Sequence, residues 1–179
     1  MNRLLRMASL AAFVFVALSG VMGGVMGNFA GVAMAQAAGG IGSGPGYHDP
    51  RSPIKPLQER AGVVAWTLLS SVTTKVEKDK LTPIFPPQIL ALDKQKVRVQ
   101  GFMMPLEPGD KQQHFLLSSV PTSCAFCVPA GPEGLIEVRT RQAVRYSLEA
   151  ITIEGQLSVL SDDAYGMFYR LVDGQALKP

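Results

Sequence analysis

Cys124 and Cys127 are the only cysteines in this 179-residue chain, and both stand in the stretch PTSCAFCVPAGPEG, residues 121–134. Two residues separate them, and that spacing admits three chemistries. The first is metal coordination. Two thiolates on a tight turn can face one ion, which makes half of a typical zinc site. A soft ion such as Cu(I) favours sulfur and needs fewer ligands. The second is a disulfide. A bond across so short a loop constrains the unfolded chain little, so its gain lies at the low end of ~2–4 kcal/mol. The third is thiol–disulfide exchange. That chemistry wants a cysteine at a helix N-terminus, where the dipole lowers the thiol pKa. Here Val128-Pro129-Ala130-Gly131-Pro132 follows Cys127, and two prolines and a glycine oppose a continuing helix.

A metal site would need further ligands. His114 is the better of the two histidines, because it starts the segment that runs directly into the cysteine loop. His48 lies in a Gly/Pro-rich stretch, and Glu133 is a carboxylate within reach of the loop. An exposed position on a strand edge is the plainer role for His114. No serine elbow, phosphate-binding glycine loop or paired catalytic carboxylates are present. Trp66, the single tryptophan, reads as barrel packing. Met103 and Met104 read as core and rim, and Tyr165, Phe168 and Tyr169 as strand packing.

The elements that must position the loop are strands. KVRVQGFMMPL alternates from Lys96, with Val97, Val99 and Gly101 on one face. Gly101 marks a bulge or sharp bend. EPGDKQ is a turn, and HFLLSSV is the next strand. GLIEVRT follows the cysteine loop as a third. VRYSLEAITIEGQLSVL holds one long or two short strands with a bend at Gly155, SDDAYG turns, and MFYRLVDGQAL completes the set. Upstream, GVVAWTLL reads as a strand with a short helix as competitor, and KVEKDKLTP as a polar loop. Pro87 suits the first turn of a short helix through Leu92. Five or six short strands with glycine bends and little helix predict a mainly β fold. The expected architecture is a small antiparallel OB-like β-barrel with one short helix. A β-sandwich is the alternative.

The N-terminal part is of another kind. Arg3 and Arg6 precede an uncharged apolar run from Met7, which ends in Ala33-Met34-Ala35. Residues 1–35 therefore read as a secretory signal peptide, with an inner-membrane anchor through residues 7–35 as the alternative. No cysteine near this leader offers a lipid attachment point. Residues 36–61 read as a flexible Gly/Pro-rich linker with little to bury, and residues 62–179 as a single barrel domain. Removing Arg3 and Arg6 lowers the formal charge from +3 to +1. A body so nearly neutral gives no electrostatic case for nucleic acid. Export would place the cysteines in an oxidising compartment, the periplasm, where a disulfide persists unless a metal or a reductant holds the thiols.

The run FPPQILALDKQKVRVQGFMMPLE, then HFLLSS, then CAFCVPAGPEGLIEV, resembles the DUF3299 family of exported bacterial proteins of unassigned function. The likeness spans roughly residues 63–179. Related sequences carry a GACIHVPPPPPNQ-like loop with histidine near the position of Cys127. Such an exchange keeps a metal ligand and destroys a disulfide, so the resemblance implies coordination ahead of a clip. It also implies work beside exporter-type ABC transporters and other envelope metal-handling proteins. This chain departs from the family pattern in having Lys94-Gln95 where Asp-Gly is common, and in lacking a lipobox.

The resulting expectation is an exported, non-catalytic accessory protein. It would bind zinc or copper through Cys124, Cys127 and His114 and serve an ABC-type transporter or another envelope protein. The alternatives are a structural or interaction module with a Cys124–Cys127 disulfide, and a thiol oxidoreductase. No nucleic acid is expected as a partner, and membrane contact only through an uncleaved N-terminal segment.

Overall fold

Apolar alternation from residue 96 onward folds into a ring. The structure is a computed structural model and describes residues 44–77 and 80–178. The expected leader, residues 1–35, and residues 36–43 of the expected linker lie outside the described residues. The elements in chain order are α1 (Trp66–Leu69), β1 (Thr73–Glu77), β2 (Lys80–Ile84), α2 (Pro87–Leu90), β3 (Lys96–Pro105), β4 (Lys111–Ser118), a 3-10 turn (Pro132–Gly134), β5 (Leu135–Arg145), β6 (Ile151–Val159) and β7 (Tyr169–Leu177).

Five strands close a barrel in the order β3-β4-β5-β7-β6, with β6 returning to β3. Every pair is antiparallel except β5 with β7, which is parallel. This order is that of an OB-like barrel, and its closure excludes the sandwich. Among the described residues, no helix is long and apolar enough to cross a membrane.

Gly101 is where β3 changes partner. Lys96 to Gly101 pair with β6, and Phe102 to Pro105 pair with β4. A Cβ at position 101 would lie 2.7 Å from Leu117 Cγ and 2.8 Å from the Ser118 carbonyl oxygen. Only glycine permits that approach, which is the physical content of the expected bend. Gly155 plays a similar part in β6, at a register shift between Glu154 and Gln156.

The barrel interior holds Val99, Phe115, Leu117, Ile136, Val138, Ile153, Leu157 and Leu171, all shielded from solvent. Each such side chain contributes about 1.5–3 kcal/mol on burial. One end is stopped by the short helices, which insert Leu69 and Ile89 into the same cluster. The Phe85 ring meets Phe168 edge-on at 6.1 Å. The Tyr169 hydroxyl donates to the Leu69 carbonyl at 2.6 Å, and its burial, with Glu133 nearby, pushes its pKa well above the usual tyrosine range.

Three upstream expectations change. In GVVAWTLL, Trp66–Leu69 form a helical turn rather than a strand. Val64 donates its N–H to the Arg98 carbonyl at 2.8 Å, so the chain lies beside β3 just before the turn. The expected polar loop KVEKDKLTP lies in the β1–β2 hairpin, which stands outside the barrel as its own two-stranded sheet. Thr73 pairs with Ile84 and Val76 with Leu81. Both members of the second pair are exposed, so neither face of the hairpin shows the one-sided pattern of a half-buried strand. The start of the described part of the expected linker, Gly44 to Tyr47, is bonded to the barrel and to the cysteine loop, as follows.

Candidate interaction site at the cysteine loop

β4 runs out at Ser118, and the chain turns through Ser119, Val120 and Pro121 into the cysteine loop. Two successive turns follow, closed by Cys124 N–H to the Pro121 carbonyl at 3.4 Å and Cys127 N–H to the Cys124 carbonyl at 3.3 Å. These turns bring the two side chains together, and they are joined as a disulfide with the Cα atoms 5.4 Å apart. No helix begins at either cysteine, so no helix dipole acts on these sulfurs.

The expected linker holds this loop from outside. Tyr47 and Val128 exchange backbone hydrogen bonds at 3.0 and 2.9 Å, an isolated antiparallel bridge. Gly46, at φ +82°, lets the chain pass so close that a Cβ would sit 3.0 Å from the Val128 carbonyl oxygen. The Ser119 hydroxyl donates to the Pro45 carbonyl. Glu133 accepts from the Gly44 N–H; the carboxylate considered as a metal helper is buried and spent on fastening this segment.

Around the disulfide the surface is apolar. Phe126 is 56% exposed and Tyr47 52%, and Val128 is exposed as well. The Arg51 guanidinium lies 4.8 Å from the Phe126 ring centroid, a cation–π contact. Asp49 fixes that guanidinium by accepting from Nε at 2.9 Å and Nη2 at 2.8 Å. Those side-chain bonds, with the Arg51 N–H, hold the Asp49 carboxyl down at about 2.

His114 is elsewhere. It lies on β4 opposite Arg139, and four residues of strand, about 13 Å, separate it from Ser118. Its Nε2 donates to Glu137 Oε1 at 2.9 Å. Glu137 also accepts from Arg139 Nε at 3.1 Å and from Arg170 Nε at 2.6 Å. Arg170 in turn donates to Asp163 at 2.9 Å. Burial alone would raise the Glu137 pKa, but the bonds from Arg170, Arg139 and His114 outweigh it and hold the carboxyl below its ordinary value. The set Cys124, Cys127 and His114 is thus not assembled: the sulfurs are bonded to each other and the imidazole serves an ion-pair network. Among the described residues, no three His, Cys, Asp or Glu side chains are grouped to hold a metal ion. Nearness in sequence does not bring His114 to the loop, because an extended strand carries the chain about 3.3 Å per residue.

Beside the loop lies a groove of about 550 Å³, reached from the same 45–48 segment. Val120 and Ser119 form one wall, Trp66 and Val64 another, and Gln100 of β3 lies between them. The Trp66 indole N–H donates to the Gln100 carbonyl at 2.8 Å. The expected packing role of Trp66 is therefore joined to a place on this groove, which sequence patterning did not reveal. The groove follows from topology: β4 leaves β3 at Gly101, so the first half of β3 is free on that side for the 62–66 segment.

Comparison with known proteins bears on lineage. No curated protein matches the chain. A crystal structure of a DUF3299 family protein from Pseudomonas aeruginosa PAO1 is similar, at 21% identity and a TM-score of 0.42, over 54% of this chain and 68% of that one. The family described as "Protein of unknown function (DUF3299)" matches residues 68–171, more than half of the chain. That match runs from the end of α1 through the whole run from β1 to β6 to the start of β7, and on it this chain belongs to the DUF3299 family.

Proposed function

We propose that this chain is an exported accessory protein that docks another envelope protein through its cysteine loop. The observation that carries this reading is the gathering of Phe126, Tyr47 and Val128 around the Cys124–Cys127 disulfide. The bond, the Tyr47–Val128 bridge and the Asp49–Arg51 pair hold these apolar groups in place before any partner arrives. Preorganised aromatic side chains at a surface favour association, because less side-chain freedom is lost on binding. The bonded sulfurs also support an oxidising location such as the periplasm, in keeping with the leader-like sequence of residues 1–35. The partner is an envelope protein, with an ABC-type transporter the first to test.

Zinc or copper binding at the same loop would require Cys124 and Cys127 to be reduced first, and a third ligand other than His114. Elemental analysis and thiol counting on protein isolated with and without reductant separate the two uses of the loop. The docking reading predicts a quantitative disulfide and no bound metal in the oxidised protein. It is tested by placing a photo-crosslinking residue at position 126 in cells that export the protein, with position 165 as control, since Tyr165 is 89% exposed and remote in sequence. Expected is one adduct with a membrane transporter subunit from 126 and none from 165. The same adducts from both positions, or none from 126, would overturn the reading.

A further inference from the structure

Residues 47–61 form a strap with little of its own to bury. Among the described residues, none of the strap belongs to the apolar core or to the hydrophobics packed against that core. Most of its polar bonds are internal. The His48 ring bonds the Ile54 carbonyl at 2.8 Å, Asp49 holds Arg51, and the Ser52 N–H donates to the Asp49 carbonyl at 2.9 Å. The polar ties that leave the strap are few. Tyr47 exchanges its backbone bonds with Val128, and the Arg51 guanidinium lies over the Phe126 ring. At the far end, the Arg60 carbonyl accepts from the Val63 N–H. Apart from that last bond, these ties end on Phe126 and Val128, the two neighbours of Cys127. The chain is pinned independently beyond each end. Glu133 accepts from Gly44 and Ser119 donates to Pro45 on one side, and Val64 donates to Arg98 on the other. Between pins and strap stand Gly46 and Gly62, at φ +82° and +77°, residues able to absorb a hinge rotation.

We propose that the Cys124–Cys127 disulfide is a redox latch on this strap, opened by a dithiol protein of the compartment in which the chain works. Both cysteines are partly exposed, so an incoming thiolate can reach the bond. The exchange balances in itself. The thiolate attacks one sulfur, the Sγ–Sγ bond breaks, and a mixed disulfide forms. The second thiol of the reductant then closes its own disulfide, so two electrons and two protons pass to Cys124 and Cys127. Without the bond, the turn from Cys124 to Cys127 is closed by a single backbone hydrogen bond of 3.3 Å, longer than the usual range. Phe126 and Val128 then lose their fixed positions, and the strap loses both of its ties together. It swings on Gly46 and Gly62 and takes one wall of the Trp66 groove with it. The coupling is reciprocal: by whatever factor the bond favours the closed strap, the closed strap protects the bond. The latch stands on these contacts and not on the docking reading, which it would regulate by parting Tyr47 from Phe126.

Trypsin tests the latch on the full-length protein, either oxidised or reduced with dithiothreitol and desalted without air. Cleavage after Arg51 reports the strap, and cleavage after Arg141 in β5 reports opening of the barrel. Reduction should speed the cut after Arg51 at least about tenfold, and that cut should stay well ahead of the one after Arg141. Equal rates after Arg51 in the two redox states would overturn the proposal. So would a rise that only follows the rate after Arg141, since the bond would then support the barrel. Gly46→Val pries the strap without touching sulfur, because its Cβ would meet the Val128 carbonyl oxygen at 3.0 Å. The oxidised variant should be cut as fast as the reduced native protein, with reduction adding less than about twofold. In dithiothreitol titrations its disulfide should be at least about tenfold easier to reduce. Slow cleavage of the oxidised variant, or an unchanged reduction equilibrium, would count against the latch. The native-protein comparison stands even where the variant does not fold. Absence of the adduct at position 126 with redox-gated cleavage retained would remove the docking reading and leave the latch.

Discussion

Breaking the Cys124–Cys127 bond should be a local event with a small global cost. The bond joins residues 3 apart in sequence. For a four-residue loop, the chain-entropy relation gives about 6 cal/mol/K, or about 2 kcal/mol at 25 °C. For a domain of this size that corresponds to a Tm lowered by about 6 °C. The barrel should survive, because none of its ladders includes either cysteine. The local effect should be larger. The Tyr47 and Val128 amides bond only to each other's carbonyls across the bridge, and the clip shortens the excursions of one side. Native-state hydrogen exchange on the reduced protein and on the Cys124→Ser/Cys127→Ser variant should show these two amides exchanging at least about tenfold faster. Amides of β5 should speed up only as far as the global loss dictates. A loss beyond about 4 kcal/mol would mean that the bond supports the barrel itself. Unchanged exchange at both amides would mean that the loop holds its shape without the bond, and the preorganisation argument would fall.

Three further outcomes are expected. Glu137→Gln should cost about 2 kcal/mol at neutral pH, since hydrogen bonds to a charged group are lost at three partners. Because the folded Glu137 pKa lies below its unfolded value, its contribution is present above about pH 4.3 and is lost as pH falls through the folded pKa. Urea midpoints across pH 2.5–6 should therefore be flatter in the variant, and parallel curves would refute the network. Gly101→Ala should destabilise by about 2 kcal/mol through contact with the Ser118 carbonyl, and a neutral change in urea midpoint would show that β3 and β4 separate more easily than the register implies. Lys94 has φ +59°, a left-handed conformation that costs an ordinary residue about 1–2 kcal/mol. Lys94→Gly should stabilise by about 0.5 kcal/mol net of the flexibility it adds and of its bond to Ser158. A lowered midpoint would count against this.

Strands β3, β5 and β7 were legible because KVRVQ, GLIEVRT and MFYRLVDGQAL alternate apolar with polar residues, and the bend at Gly101 because glycine interrupts such a run. The turn at Trp66–Leu69 was not, since a four-residue helix is too short to express a 3.6-residue period. The hairpin Thr73–Ile84 shows no alternation because it buries neither face. Most of the site was illegible for a different reason. Glu137 reads in sequence as an outward polar residue; its burial comes from His114 across one ladder and Arg170 across the other, and register is not written in composition. The 44–48 segment looked like a tether because its attachments use backbone groups, which every sequence carries. The cysteine spacing itself permits a bonded pair or a metal-holding pair equally. The prior favouring metal came from a histidine near Cys127 in related loops, a substitution this chain does not have.

The keystone of the ring is its last strand. β7 joins β5 on one side and β6 on the other, so a nascent chain complete only to Gly166 presents two open strand edges with nothing between them. Unpaired edges of that sort invite association with other chains. A deletion that removes the chain from Tyr169 onward would leave both edges open and is expected to turn a folded barrel into an aggregating chain.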